Sequence, residues 1–309
     1  MAYALALASA ALYGAADFLG GLAARRTSAI VTVLISQAAG AVLLAAILPF
    51  LPAASPTTHD LAWGAAAGLA GGTGVALLYR ALAVGVMGVV APTTALCAVA
   101  IPVIAGIVAG ERPGAITSAG MGLALVAIVL VSQSASTSHN AGADRSTSTS
   151  GNAGADLSTS RNVGADLQVG PTVRLPAGFV LALLSGVAIG LFFLALARTA
   201  STAGLWPLLV ARGLSVALFR GIALAGRVPV RVTRSLALPI VSCGAIDMTA
   251  NALYLIATRY GTLSVIVTLA SLYPASTVVL ARFVLHERFS RWQTAGIVCA
   301  LVAVVMIVG

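Results

Sequence analysis

The chain has 309 residues, of which 60% are hydrophobic and 8% charged, and its mean hydropathy is +1.04. A water-soluble domain carries roughly 25% charged residues, so this composition excludes an ordinary soluble globular protein. The net charge of +9 comes from 17 basic residues, all of them arginine. They stand singly between apolar runs and form no patch for nucleic acid, which leaves the lipid bilayer and its anionic headgroups as their partner.

The apolar runs fall at 2–23, 29–51, 61–82, 87–109 and 115–132, then at 177–197, 204–226, 236–257, 263–285 and 291–308. Each is close to the roughly 20 residues that carry a helix across a bilayer. Strands of a membrane barrel would alternate apolar and polar residues over about ten positions, and these runs do not. The pattern therefore predicts an all-α integral membrane protein with ten transmembrane helices. The first run contains Ala8, Ser9 and Ala10, small residues of the kind that precede a signal cleavage site. Its arginines, Arg25 and Arg26, follow the apolar stretch instead of preceding it, so it reads as a retained first helix. The connections are short and marked by Arg, Pro, Gly or Asp, which makes neighbouring helices antiparallel.

Between the two sets of five lies sequence of another kind. Residues 133–175 are rich in Ser, Thr, Gly, Asn and Ala, and NAGAD at 140 and 152 returns as NVGAD at 162. Such sequence cannot bury a core and reads as a disordered linker. The domain reading is thus residues 1–132 as one five-helix unit, 133–175 as linker and 176–309 as a second unit.

The two units resemble each other. A shift of 176 residues aligns 61–133 on the second half without a gap. Glu111-Arg112 then meets Glu287-Arg288, Thr73 meets Thr249, Gly68 meets Gly244, and in the first helices Ser9 and Gly14 meet Ser185 and Gly190. Five helices carry the chain across the bilayer, so the second copy starts on the opposite face and the repeats are inverted. Inverted repeats place a binding site at mid-depth between the halves and permit alternating access by rocking.

With these features the sequence resembles the drug/metabolite transporter superfamily, in its ten-helix EamA-like branch. The carrying residues are Gly14 and Gly190, the connections YRALAVG at 79–85 and IATRYG at 256–261, and the stretch from Pro274 to His286-Glu287-Arg288. In the first half Gly110-Glu111-Arg112 matches, but Pro102 stands one helical turn later than the pattern expects. The resemblance implies a secondary transporter, often an exporter of metabolites or amino acids, that runs without ATP. A Walker-type phosphate loop needs lysine, and the chain has none.

Ionisable side chains at bilayer depth are costly and usually functional. Asp247, Asn251 and Tyr254 occupy positions i, i+4 and i+7 of the eighth run, one face of a helix. The aligned residues of the first half are Gly71, Val75 and Leu78, so this polar face belongs to one half only. Arg212, in the middle of the seventh run, needs a counter-charge, either Asp247 or a carboxylate of the substrate. Asp17 stands three residues past Gly14, in the region where small multidrug resistance relatives carry a proton-coupling acid, which makes it a proton-coupling candidate. Gln37, Thr94 and Tyr273 complete the substrate-binding set, with Thr93 and Ser271 beside them. Packing alone would also explain polar side chains that bond neighbouring helices. Gly64, Gly68 and Gly72 form a stripe for close helix packing, and Glu111 reads as a helix-end ion pair with Arg112.

Cys97, Cys243 and Cys299 lie inside apolar runs, and His59, His139 and His286 lie in loops or at a helix end. Nothing groups them as metal ligands, so no metal, cofactor or disulfide is expected. The loops are too short to hold a catalytic cluster, so no enzyme is expected either. The alternative to transport is a membrane scaffold or sensor, whose partner-binding segment would have to be the linker.

Orientation draws opposite readings. Arg25, Arg26, Arg80, Arg227, Arg231, Arg234, Arg288 and Arg291 share a face with the linker, whereas Arg112, Arg198 and Arg259 share the face of the termini. The positive-inside rule puts the first face in the cytoplasm; the resemblance implies cytoplasmic termini. The residues favour the charge count. A multi-pass protein of the cell's inner membrane, monomeric or homodimeric, is the resulting picture.

Overall fold

In lipid, a backbone can satisfy its own N–H and C=O groups only by coiling into helices or closing a barrel. The computed structural model takes the first route and describes residues 1–24, 26–84, 87–132, 178–285 and 290–308. The linker, the Glu287-Arg288 pair, His139, His286, Arg25 and Gly85 lie outside the described residues.

Eleven α-helices occur among the described residues, with two short 3₁₀ turns. The first five are α1 (Ala2–Ala24), α2 (Ala29–Ile47), α3 (Thr58–Val84), α4 (Met87–Val108) and α5 (Ala115–Ser132). The rest are α6 (Phe179–Ala197), α7 (Trp206–Ala225), α8 (Arg234–Thr258), α9 (Leu263–Ala270), α10 (Tyr273–Leu285) and α11 (Arg291–Val308). Among the described residues, seven spans are long and apolar enough to cross a membrane, and shorter apolar stretches lie at Thr93–Val108, Ala115–Val131 and Leu263–Thr277.

Three expectations are corrected here. The run 263–285 is two helices, broken at Ser271 and Leu272. Pro274, in the first turn of α10, lacks the N–H and has the ring that would clash with the carbonyl four residues back. The third helix begins at Thr58, earlier than the apolar run, because Thr57 and Asp60 form a capping box. The Thr57 amide donates to Asp60 Oδ2 at 2.9 Å and the Asp60 amide to Thr57 Oγ1 at 3.2 Å. The other oxygen, Asp60 Oδ1, accepts from the Ala200 amide at 2.7 Å, which ties α3 to the turn before α7. Third, Glu111 does not form its helix-end pair with Arg112. Its carboxylate accepts from the amides of Leu263 at 2.6 Å and Ser264 at 2.9 Å. These are orphan donors of the α9 N-terminus, where a negative charge is favoured by the helix dipole.

The most extensive helix contacts run between the first five helices and the rest. α1 packs on α8 as α3 packs on α6; α4 packs on α6 as α1 packs on α9 and α10; α3 packs on α7 as α2 packs on α8. α2 meets α7, α4 meets α9 and α5 meets α11. Exchanging the two sets leaves this scheme unchanged. Individual bonds repeat it: Ser9 Oγ donates to Ala250 O and Ser185 Oγ to Gly74 O, each at 2.8 Å.

Small residues allow these approaches. A Cβ on Gly68 would lie 2.3 Å from Ala211 O, and one on Gly244 would lie 2.0 Å from Ser36 O. Gly64 and Gly72 meet Pro207 and Ser215 of α7 in the same way. Contact is so close that Ser215 Oγ donates to Gly68 O at 2.6 Å. The seam brings α7, and with it Arg212, against the interior face of α3.

Candidate functional site

The interleaved helices leave a cavity of about 650 Å³, open volume included, at mid-length of α1, α2, α3, α6, α7 and α8. From α1 it is lined by Tyr13 and Asp17, from α2 by Gln37, and from α10 by Tyr273. From α3 it takes Gly68, Gly71, Gly72, Val75 and Leu78; from α6 Ile189, Phe192 and Phe193. α7 adds Arg212 and Ser215, and α8 adds Asp247 and Asn251. Asp247 and Asn251 therefore share a wall of the cavity, and their aligned partners Gly71 and Val75 line it too.

The centre of the polar network is Arg212. It is buried, and its guanidinium donates to Asp247 Oδ2 and to Gln37 Oε1. Of the two counter-charges that the sequence allows it, the intramolecular one is present. The two side chains differ in access: Arg212 is 7% exposed, Asp247 27%. A guanidinium this desolvated is tolerable only with its charge balanced and its donors engaged, whereas the carboxylate still opens on the cavity.

Asn251 extends the network. Its Nδ2 donates to the Asp247 carbonyl at 2.6 Å, and its Oδ1 accepts from the Tyr13 hydroxyl at 2.8 Å. These bonds fix the Tyr13 ring, which meets Phe193 edge-on at 5.8 Å and Tyr273 at 6.5 Å between centroids. Phe192 packs on Phe193 at 5.4 Å. The result is an aromatic wall beside an ionic floor.

Asp17 stands one helical turn beyond Tyr13 on α1, on the same face, and lines the cavity. Its charged neighbour is Asp247. Among the described residues, no hydrogen bond or ion pair engages its carboxylate.

Two residues of the expected set sit elsewhere. Tyr254 is fully buried, its ring 4.7 Å from that of Phe193 and its hydroxyl donating to Phe193 O at 3.1 Å. Thr94 is buried against α6, where its hydroxyl donates to Ala182 O at 3.1 Å. Neither lines the cavity. Ser271 is buried at the break between α9 and α10, with no partner for its hydroxyl among the described residues. Conversely, Tyr13, Phe192, Phe193 and Ser215 line the site without standing out in sequence. Aromatic residues in an apolar run look alike whether they face lipid, core or cavity; the one signal was the i−4 spacing of Tyr13 from Asp17.

A bundle of apolar spans closed around a charged cavity at mid-length defines a multi-pass helical membrane protein. The model of the EamA-like transporter family matches residues 173–309. A solved structure described only as "Crystal structure of protein" shares the fold: 15% identity, a TM-score of 0.69, and coverage of 99% of this chain and 95% of the other. That likeness extends the fold over both sets of helices. No curated protein matches the sequence.

Proposed function

We propose that the chain is a secondary active transporter that moves a small metabolite, amino acid or drug-like solute by alternating access, as an exporter in the cell's inner membrane. The observation that carries this reading is the cavity between the two sets of helices, lined at mid-depth by ionisable and polar side chains from both. Side chains such as Arg212, Asp17 and Asp247 are costly at that depth and are kept where a solute or ion passes.

The arrangement as ten crossings in two inverted five-helix repeats belongs to this proposal. In it, α9 and α10 form one broken crossing, a common device at transporter sites. The exchange-invariant packing and the matched bonds of Ser9 and Ser185 support it. Rocking of one repeat against the other would open the cavity to each face in turn, with the glycine seams of α3 on α7 and α8 on α2 as the sliding surfaces.

Within the cavity, Arg212, Gln37, Asp247, Asn251 and Tyr273 are the proposed contacts to substrate, and Asp17 is the proposed proton-coupling group. Tyr254 supports that wall from behind, through Phe193. The test is flux in vesicles reconstituted with the purified protein, against a panel of metabolites, with and without a proton gradient. Saturable flux that the gradient accelerates is expected. Vesicles no more permeable than protein-free controls for every solute would overturn the reading.

A further inference from the structure

A cavity that serves alternating access has to be shut from one face at a time. At the end of the bundle where α1 begins, one short element fills the space between cavity and surface. α9 has eight residues and is about 12 Å long. It runs from Thr262, exposed at that end, to the break before Tyr273, which lines the cavity. Every residue from Ser264 to Leu272 is buried, whereas most described residues of α10 are half-buried or exposed. The neighbours of α9 are α1, α4 and α5 of the first set and α8 of the second. It sits as a plug between them.

The start of a helix leaves its first N–H groups without partners. Thr262, the residue that would cap α9, makes no side-chain capping bond. The cap comes from the other half of the chain, where the Glu111 carboxylate accepts from the amides of Leu263 and Ser264. The end of α4 is shaped to deliver it. Gly110, at φ 99°, stops the helix; its amide donates to Ile107 O and the Glu111 amide to Gly106 O, each at 3.0 Å. The Glu111 side chain then lies across Gly106, where a Cβ would meet Oε2 at 2.4 Å. Two glycines thus aim one carboxylate at the plug.

Other ties cross between the two sets at the same end. Asp60 accepts from the Ala200 amide, and the Ser55 amide donates to Thr202 O at 3.0 Å. Gly261, just before α9, lies against the first turn of α1, where its Cβ would stand 3.2 Å from that of Ala2.

The Glu111 bond suits a contact that is made and broken. A carboxylate on helix-terminal amides is charge-assisted and favoured by the dipole. Yet Glu111 and Leu263 are only half-buried. Once α4 and α9 part at that end, water takes over both the carboxylate and the amides, so the net cost of release is that of one exchanged bond.

We infer that Glu111 is a latch that holds α9 shut over the cavity at the face of the termini, and that its release opens the cavity to that face. This rests on the reading of the cavity as the transport site and adds the residue that regulates access to it.

The test uses full-length protein in oriented vesicles, with Cys97, Cys243 and Cys299 replaced and Val75→Cys as the reporter on the cavity wall. The rate of reaction with an impermeant thiol reagent is measured from each face. Glu111→Gln should raise the rate from the face of the termini at least about fivefold, and Glu111→Ala at least as much. Gly106→Ala, which pushes the carboxylate off the amides, should raise it too. From the opposite face the rate should not rise. Arg112→Gln, at the exposed neighbour, should change neither rate. A single symmetric peak in gel filtration shows that each variant is folded. A rate from the face of the termini that stays unchanged in both Glu111 variants overturns the inference, as does an equal rise from both faces, which marks a general loosening of the bundle. Flux of solutes in the same vesicles separates the latch from the transport reading. A one-sided rise in reactivity without flux of any solute keeps the latch and rejects the carrier. Solute flux with reactivity unmoved by Glu111→Gln and Glu111→Ala does the reverse.

Discussion

Replacing Asp247 by Asn leaves the Arg212 guanidinium in place and removes its charge partner. Removing one member of a buried ion pair costs about 3–5 kcal/mol, because the remaining charge stays desolvated. Here the lower end applies. Asp247 is 27% exposed, so its side of the pair is partly hydrated, and Gln37 Oε1 still accepts from Arg212. About 3 kcal/mol corresponds to roughly a 150-fold fall in the ratio of folded to unfolded protein. Unfolding of the purified protein in mixed micelles, titrated with a denaturing detergent and followed by tryptophan fluorescence, reads this directly. Asp17→Asn provides the contrast, since no described residue pairs with Asp17, and should lose no stability. The double variant Arg212→Met/Asp247→Leu should regain most of what Asp247→Asn loses, because apolar packing replaces the pair. An Asp247→Asn midpoint equal to wild type, or a double variant no more stable than the single one, would refute the view that the pair is a desolvated unit.

Other outcomes follow from the packing. Gly68→Ile places a branched side chain where Cβ alone would lie 2.3 Å from Ala211 O; parting α3 from α7 should destabilise the protein by about 1–3 kcal/mol or more, seen as a lower midpoint in the same titration. Glu111→Gln weakens the charge-assisted acceptor of the Leu263 and Ser264 amides, with an expected loss of about 1–3 kcal/mol; hydrogen exchange at the start of α9 should accelerate while that of α5 does not. Single cysteines in 133–175 should be shielded from an impermeant thiol reagent added outside the cell, as the arginine count on that face requires, and labelling from outside would reverse the orientation.

Much of this was legible in the sequence, for a physical reason in each case. Lipid favours long apolar helices, so the seven spans long enough to cross could be located from run length alone, to within a few residues, whereas the run 263–285 hid a break. Asp247 and Arg212 stood out because charge is rare at that depth, and Asn251 followed by one helical turn. Tyr254 shared their face but faces a different neighbour: Phe193 lies over its ring, and the cavity ends there. Helical spacing fixes a face; it does not say how far along the helix a cavity extends. Glu111 was misread because its partners are backbone amides 152 and 153 residues away, and amides leave no trace in side-chain identity. The capping box at Thr57 and Asp60 could have been read from its spacing, but the apolar run begins after it and drew the boundary inward.

The carrier mechanism is tested most directly at Val75, which lines the cavity as Asn251 does. With Cys97, Cys243 and Cys299 replaced, Val75→Cys can be challenged by a membrane-impermeant thiol reagent from each side of oriented vesicles. Alternating access predicts that the thiol reacts from both faces, and that a bound substrate protects it from both. Reaction from one face only, with and without substrate, would contradict transport through this cavity.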